Sequence, residues 1–507
     1  MREIRSTDAA LASRTRVLVL AVIVELAACS SDTSLPIEPA CNPLGAGHCM
    51  TPWPSSVFEV DDPSSATGRR LAIPEGALPS NADNVAADPA GWNVADGFSP
   101  VAPLVMAWKG GVSADGLPPP GRADLSLAAD APTVIFDMTT GARVAHTAEL
   151  DPQAADQPDA QALILRPLAR LIGGHRYAVG ITTRVHARDG SDLAVPPGFA
   201  ALRDHKSTDH ALLEAMRPRF GDVLDALETA GFPACNLVVA WDFTVASDEL
   251  LHRDRVAAHD RALAALDAQP GKLAIASDTP IDDGKLIRRK ITGTLEAPLF
   301  LTQRGAPNLG TTIARDDVGL PTLQGRYEIP FTAIVPACAY TANDPVAMVI
   351  HRHALFGSAA EAASAALQAM AAERCAVIAG TDLRGMAEID LPAVARMLND
   401  ITTADEALDV LEQGLVNHMA LDRALRTVLA QQVFVDPAKP TRSLVDPTQV
   451  LDDAPASVAS YAELLDRSAD GPQFRRILAA AYPDPLDVVM ALGLFQMRWD
   501  RVVAVAP

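Results

Sequence analysis

Positive charge is scarce in this chain. Lysine and arginine number 42 against 63 aspartates and glutamates, a net charge of −21, and a phosphate-binding surface needs clustered Lys and Arg to release counterions. The balance argues against nucleic acid as a partner. Long apolar runs are missing beyond the first thirty residues, so no later segment reaches the roughly 20 residues a spanning helix needs. Internal repeats and low-complexity tracts are absent too. With 49% apolar and 21% charged residues, the composition is neither disordered nor fibrous. At 507 residues the chain points to two or three domains, each able to bury a stable interior.

The amino-terminal residues are the apolar exception. A basic stretch with Arg14 and Arg16 precedes the run Val17–Val24, too short to cross a bilayer and shaped like the h-region of an export signal. Leu26-Ala27-Ala28-Cys29 resembles the lipobox of bacterial lipoproteins. That resemblance implies a signal peptide over 1–28, lipidation of Cys29 and attachment to a membrane through that lipid. Ser30, where Asp would mark inner-membrane retention, implies the outer membrane or the extracellular side of the cell envelope. An ordinary signal peptide with a chance cysteine is the alternative, and Glu25 inside the apolar region keeps it open.

Cysteine is sparse, six in all. In an oxidising compartment Cys41 and Cys49 of the loop CNPLGAGHC suit a local disulfide. Zinc held by Cys41, His48 and Cys49 lacks a fourth ligand nearby. Cys235, Cys338 and Cys375 lie in or beside apolar runs and read as buried small hydrophobes, with pairing among them open.

From Cys41 to about Pro336 the chain reads as short strands joined by turns. Thr133–Asp137 and Ala142–His146 flank Met138-Thr139-Thr140-Gly141, a hairpin signature, and Gln161–Leu165 and Tyr177–Val185 add strands. Helical spacing predicts one helix over Thr208–Ala230, stopped by Gly231, and another over Asp248–Ala268, ending before Pro270. A β-rich segment returns over Lys272–Ile334. The expectation is a β-rich, sandwich-like domain over 29–340, decorated by helices. After Pro345 the pattern becomes strand, helix, strand, helix, strand. The strands are Val346–Ile350, Ala376–Ala379 and Thr448–Leu451; capping boxes at Ser358–Glu361 and Thr403–Glu406 open helices reaching Arg374 and Leu429. That is a doubly wound α/β pattern over 341–507.

The loop His351–Gly357 leaves the first of these strands at its carboxyl end, where open α/β sheets bind ligands. The stretches HALFGSAAEA from His353, TDLRGMAEID from Thr381, LEQGLVNHMAL from Leu411 and YPDPLDVVMALGLFQMRWDR from Tyr482 resemble bacterial extracellular lipoproteins of the lipase and esterase kind. PWPSS at Pro52, DGFSP at Asp96 and WDFTVAS at Trp241 resemble that family's amino-terminal, virulence-factor-lipase-like domain, so the likeness covers most of the mature chain. It implies an α/β-hydrolase domain that needs no cofactor and cleaves a small carboxylic ester through an acyl-enzyme. It also implies an oxyanion loop of the form H-G-L-F-G-S, to which His353, Ala354, Leu355 and Phe356 correspond.

The family's nucleophile is missing. It belongs in G-x-S-x-G, where flanking glycines let a strained turn present the serine above the sheet. Gly97-Phe98-Ser99 and Gly111-Val112-Ser113 begin that pattern without the closing glycine. Where the elbow belongs, after Thr448–Leu451, the chain reads Asp452-Asp453-Ala454-Pro455, as though a segment had been excised. The order Ser, then Asp or Glu, then His also lacks its base, since the last histidine is His418. Ala354 replaces the loop's glycine and adds a Cβ where backbone approaches substrate.

Other constellations are thin. His351 and His353 with Asp382, Glu388 or Asp390 could hold zinc, against the reading that they are hydrogen-bonded loop groups. Asp382 is positioned to pair with Arg384, and Asp452 with Asp453 suits a solvated loop better than a displaced nucleophile. Met490–Trp499 has the spacing of a core or partner-facing helix. The expectation is therefore an exported lipoprotein of α+β class, its β-rich domain followed by an incomplete α/β-hydrolase-like domain, similar to an ester hydrolase but inactive. No catalytic, metal or cofactor residue is assigned. The alternatives are an active hydrolase with an unrecognised nucleophile, or the product of an internal deletion with the odd tail Val502–Pro507.

Overall fold

The computed structural model describes residues 34–281, 284–303, 309–452 and 471–502. Residues 1–28, where a signal peptide is expected, and Cys29 lie outside them, as do Asp453 and most of the tail. The chain is a mixed α and β protein with several sheets.

A short antiparallel pair, β1 (Glu59–Asp61) and β2 (Arg69–Leu71), precedes two antiparallel sheets. The first has the order β3-β7-β6, built from Leu104–Met106, Leu163–Pro167 and His146–Leu150. The second has the order β5-β4-β8-β9, built from Ala142–Arg143, Thr133–Asp137, Arg176–Thr182 and Leu237–Thr244. The expected hairpin is thus shorter than its sequence pattern. Ala142 and Arg143 pair with β4 and Val144 N donates to Ile135 O at 2.9 Å, after which His146 crosses to the other sheet, its buried ring reaching back to Thr133 Oγ1 of β4 at 2.8 Å. Helices α1 (Pro197–Arg203), α2 (Ala211–Thr229) and α3 (Asp248–Ala268) follow. Helix α3 starts where Ser247 Oγ accepts the Leu250 N–H, with Asp248 and Glu249 in its first turn, and stops before Pro270.

The third sheet has six strands in the order β10-β11-β12-β14-β13-β17: Leu273–Thr279, Ile287–Leu299, Gly325–Pro336, Val377–Thr381, Val346–Ile350 and Val445–Asp452. β13 lies parallel between β14 and β17, while β12 runs antiparallel to β14 from Phe331 opposite Thr381 to Ile334 opposite Ile378. Strands from both sides of residue 340 share this sheet, so the β-rich stretch Lys272–Ile334 builds it rather than the two earlier sheets. Every residue of β14 is buried, which explains its unbroken apolar run.

Helices α4 (Ala365–Arg374), α5 (Leu391–Asn399) and α6 (Ala404–Ala424) connect these strands, and a π-helical stretch, Leu425–Val433, extends α6 toward the small hairpin β15 (Val435–Asp436) and β16 (Lys439–Ser443). Two glycines let α6 press onto the turn after β14. A Cβ on Gly414 would fall 2.4 Å from Arg384 O, and one on Gly385, at φ +81°, would fall 2.6 Å from Leu411 Cα. Finally α7 (Gly471–Ala481) and α8 (Pro485–Val502) meet at a bend of 114°.

One hydrophobic core joins the amino-terminal sheets to the later helices, gathering Trp53, Phe98 and Trp241 with Leu408, Leu478 and Leu494. Trp92 Nε1 donates to Leu494 O at 3.0 Å, fastening α8 to the amino-terminal part. Among the described residues two disulfides are present, Cys41–Cys49 and Cys338–Cys375. The reading of the last three cysteines as buried hydrophobes is corrected here. Cys338 and Cys375 are bonded across 37 residues, tying the end of β12 to the end of α4, and Cys235 is exposed. Closing a loop of that length removes about 3–4 kcal/mol of unfolded-state entropy.

Candidate functional site

The loop after β13 is organised by its own backbone. Phe356 N donates to Met386 O at 2.6 Å, Gly357 N to Ala354 O at 2.9 Å, and Glu388 N back to Gly357 O at 2.9 Å. The loop is thereby laced to the turn that follows β14. Phe356 adopts a left-handed φ of 61°, uncommon for a side chain of its size.

His353 is buried and spends both ring nitrogens. Its Nδ1 lies 2.8 Å from Ala354 O and its Nε2 accepts the Leu383 N–H at 2.8 Å, so the proton resides on Nδ1. The ring is a strut between the two loops. Ala354 N donates to Glu361 Oε2 at 2.9 Å, and the same carboxylate lies 3.7 Å from His351 Nε2. Glu361 therefore serves the loop instead of the expected capping box. Ser358 makes no side-chain cap, Ala359–Ala363 forms a 3₁₀ turn, and α4 begins only at Ala365. Leu355 and Phe356 pack against the core at half-buried positions, and Leu355 N has no acceptor among the described residues.

The proposed ligand set for zinc is dispersed by other bonds. Asp382 Oδ1 accepts the Ala359 N–H at 2.8 Å and does not pair with Arg384. Asp390 is the partner, receiving Arg384 Nη2 at 2.7 Å and Nε at 3.0 Å with both side chains buried. Asp452 instead meets Arg352 Nη2 at 2.5 Å. The one described cluster with metal-like spacing is His48, Asp484 and Asp487. There Met50 N donates to His48 Nδ1 at 3.3 Å, which puts the ring proton on Nε2, facing Asp487 Oδ1 at 2.9 Å, where a cation would have to sit.

A second group of ionisable residues, not anticipated from the sequence, fills the junction of α3, α6 and α8. Arg315 and Arg501 reach Asp254 at 2.7 and 3.0 Å, and Arg498 reaches Asp405 at 2.5 Å. Burial, with the charges of Asp409 and Asp254 adding to it, pushes the Glu412 carboxyl up to about 8. Burial beside Asp405 pushes Asp409 up to about 6. Shifts of this size often mark active sites. The space among these groups is only about 10 Å³, room for no more than a water molecule. The cluster is a packed ionic joint. Helical spacing alone could have flagged it, since Asp405, Asp409 and Glu412 fall on one face of α6.

Compared with protein-family models and with curated proteins, the chain matches none.

Proposed function

We propose that this protein is an exported lipoprotein with the architecture of a carboxylic-ester hydrolase and without its chemistry, acting by binding. Support for the architecture comes from the strand order, in which three parallel strands carry a loop at the carboxyl end of the middle one, beside the strand that would lead into a nucleophile elbow. Support for inactivity rests on His353. A general base needs a free nitrogen within reach of the nucleophile, and both of its nitrogens are consumed by Ala354 O and Leu383 N. Two disulfides suit an oxidising compartment, in keeping with export.

A fluorophosphonate probe applied to the purified chain tests the reading. Labelling should stay at the level of a heat-denatured control, with no accelerated release of p-nitrophenol from short-chain esters. Labelling that approaches one probe per chain would establish an activated serine and end the proposal. Mass analysis of protein recovered from membranes should find acylated Cys29 as the first residue.

A further inference from the structure

A cavity of about 640 Å³ lies between the sheet β3-β7-β6 and the bent pair α7–α8, within the usual range of small-molecule sites, about 300–1,000 Å³. None of the residues His351–Gly357 lines it, so it is separate from the loop after β13. Its two walls differ in chemistry. The helix side is apolar, with Leu478 on α7 and Val488, Val489 and Leu492 on α8. The three α8 residues share one helical face and are only half-buried, although most of that helix is fully buried.

The sheet side is charged. Glu149 of β6 lies opposite Ile164 of β7, and Arg166 is two residues beyond Ile164, so period-two alternation turns all three to one face. Asp151, two residues after Glu149, also lines the cavity. Glu149 is matched, since Arg166 Nε donates to its Oε1 at 2.6 Å. Asp151 is not. It is 6% exposed, its Oδ1 accepts the Gln153 N–H at 2.9 Å to cap the turn Pro152–Ala154, and its Oδ2 is bonded to nothing among the described residues. Enclosed carboxylates are ordinarily paired with a cation. The other cation on the cavity wall, Arg475 of α7, is half-buried and has a partner of its own.

The cavity therefore sets one carboxylate without a counter-ion against a hydrocarbon wall, and the exposed side chains of Gln153 and Gln157 add amide acceptors. An anionic head would meet Glu149 and Asp151, and a neutral head would leave Asp151 unmatched. A guanidinium fork needs both carboxylate oxygens, and Oδ1 is already taken by the Gln153 N–H. A primary ammonium, a compact charge with three donors, needs only Oδ2.

We propose that this cavity binds a primary ammonium ligand with an apolar body, its nitrogen donating to Asp151 Oδ2 and its hydrocarbon lying against Val488, Val489 and Leu492. The site goes beyond the inactive-hydrolase reading and does not depend on it.

Phenylbutylammonium chloride is the probe, titrated calorimetrically into the full chain at neutral pH, with phenylbutanol as its neutral counterpart and phenylbutyrate as its anionic one. Saturable binding of one ammonium per chain is expected, with the alcohol weaker by about tenfold and the carboxylate weaker still. Asp151→Asn keeps an oxygen to cap Gln153 and removes the charge. It should weaken the ammonium about tenfold and leave the alcohol unchanged. Val489→Arg, which obstructs the apolar wall, should abolish binding of both, with circular dichroism showing that the two variants stay folded. Should either variant misfold, the ranking of the three ligands on the parent chain still decides. Absence of saturable binding, an alcohol as tight as the ammonium, or an ammonium affinity that a folded Asp151→Asn or Val489→Arg chain leaves unmoved would each overturn the assignment.

Discussion

The rings of Phe356 and Phe474 stack at 4.7 Å between centroids, 28° from parallel, and so bind the loop after β13 to helix α7. Two effects oppose each other at Phe356. Its left-handed backbone costs about 1–2 kcal/mol, while its ring contributes burial to the joint. Phe356→Gly relieves the first and loses the second, for a net destabilisation of about 1 kcal/mol. Phe474, 5% exposed, gains nothing on truncation, so Phe474→Ala should cost about 3 kcal/mol. Urea melts of the two variants check the order. If Phe356→Gly is the more damaging, the backbone of the loop is not strained.

His353 supports the site mechanically. Replacing it with alanine strands the Leu383 N–H and removes a donor from Ala354 O, two groups that the ring now joins. The expected loss is about 1–3 kcal/mol of stability, accompanied by faster proteolysis between His351 and Gly357. Background ester turnover should be unmoved. A drop in turnover with stability intact would instead make this imidazole a participant in chemistry.

Much of this architecture is written in local pattern, and what is not written locally is telling. Helix α3 spans Asp248–Ala268 because its cap, acidic first turn and terminating proline all lie within its own stretch of chain. The strands β13 and β14 likewise announce themselves by apolar composition. The errors arise where a residue has a distant competitor. Glu361 and Glu406 sit at capping-box spacing, yet one serves Ala354 N and the other meets Gly310 N at 2.9 Å and Arg396 at 3.1 Å. Asp382 is nearer to Arg384 in sequence than Asp390 is, but Asp390 receives the guanidinium because the Gly385 turn aims it there. The Cys338–Cys375 bond and the assignment of β11 and β12 to the later sheet depend on long-range pairing, which spacing does not encode.

Beneath the amino-terminal sheets Arg219 forks between two fully buried carboxylates, Glu59 Oε2 at 3.1 Å and Asp242 Oδ2 at 2.8 Å. Arg176 Nε adds a 2.5 Å contact to Asp242, and Ser56 Oγ donates to its other oxygen at 2.5 Å. Removing Arg219 breaks both of its ion pairs but leaves Asp242 with Arg176 and Glu59 with Arg69, at 3.3 Å, as cationic partners. Arg219→Ala should therefore cost about 1–3 kcal/mol, and Arg219→Lys should recover little, since an ammonium cannot fork between the two acceptors. Denaturant titration decides. Recovery of most of the loss by lysine would mean that point charge alone, and not the planar fork, holds these strands to α2.

The ionic joint at α3, α6 and α8 makes stability depend on pH in a definite direction. Glu412, 4% exposed, has a carboxyl oxygen with no hydrogen-bond partner among the described residues and takes up its proton near pH 8, against 4.5 for the ordinary side chain. Asp409 and Asp254 raise it further, and Arg315 and Arg501 pull the other way without prevailing. The folded state then binds more protons than the unfolded chain between those two values, so this stabilisation is complete below about pH 4.5 and is lost as pH climbs toward about 8. Each tenfold change in proton affinity is worth about 1.4 kcal/mol, which bounds the effect at a few kcal/mol. Glu412→Gln keeps the shape and removes the titration. The variant should melt at nearly the same temperature as the parent at pH 4.5 and several degrees above it at pH 8.5. A parent and variant whose melting temperatures fall in parallel across that range would show that Glu412 is already ionised in the fold, held by Arg315 and Arg501 after all.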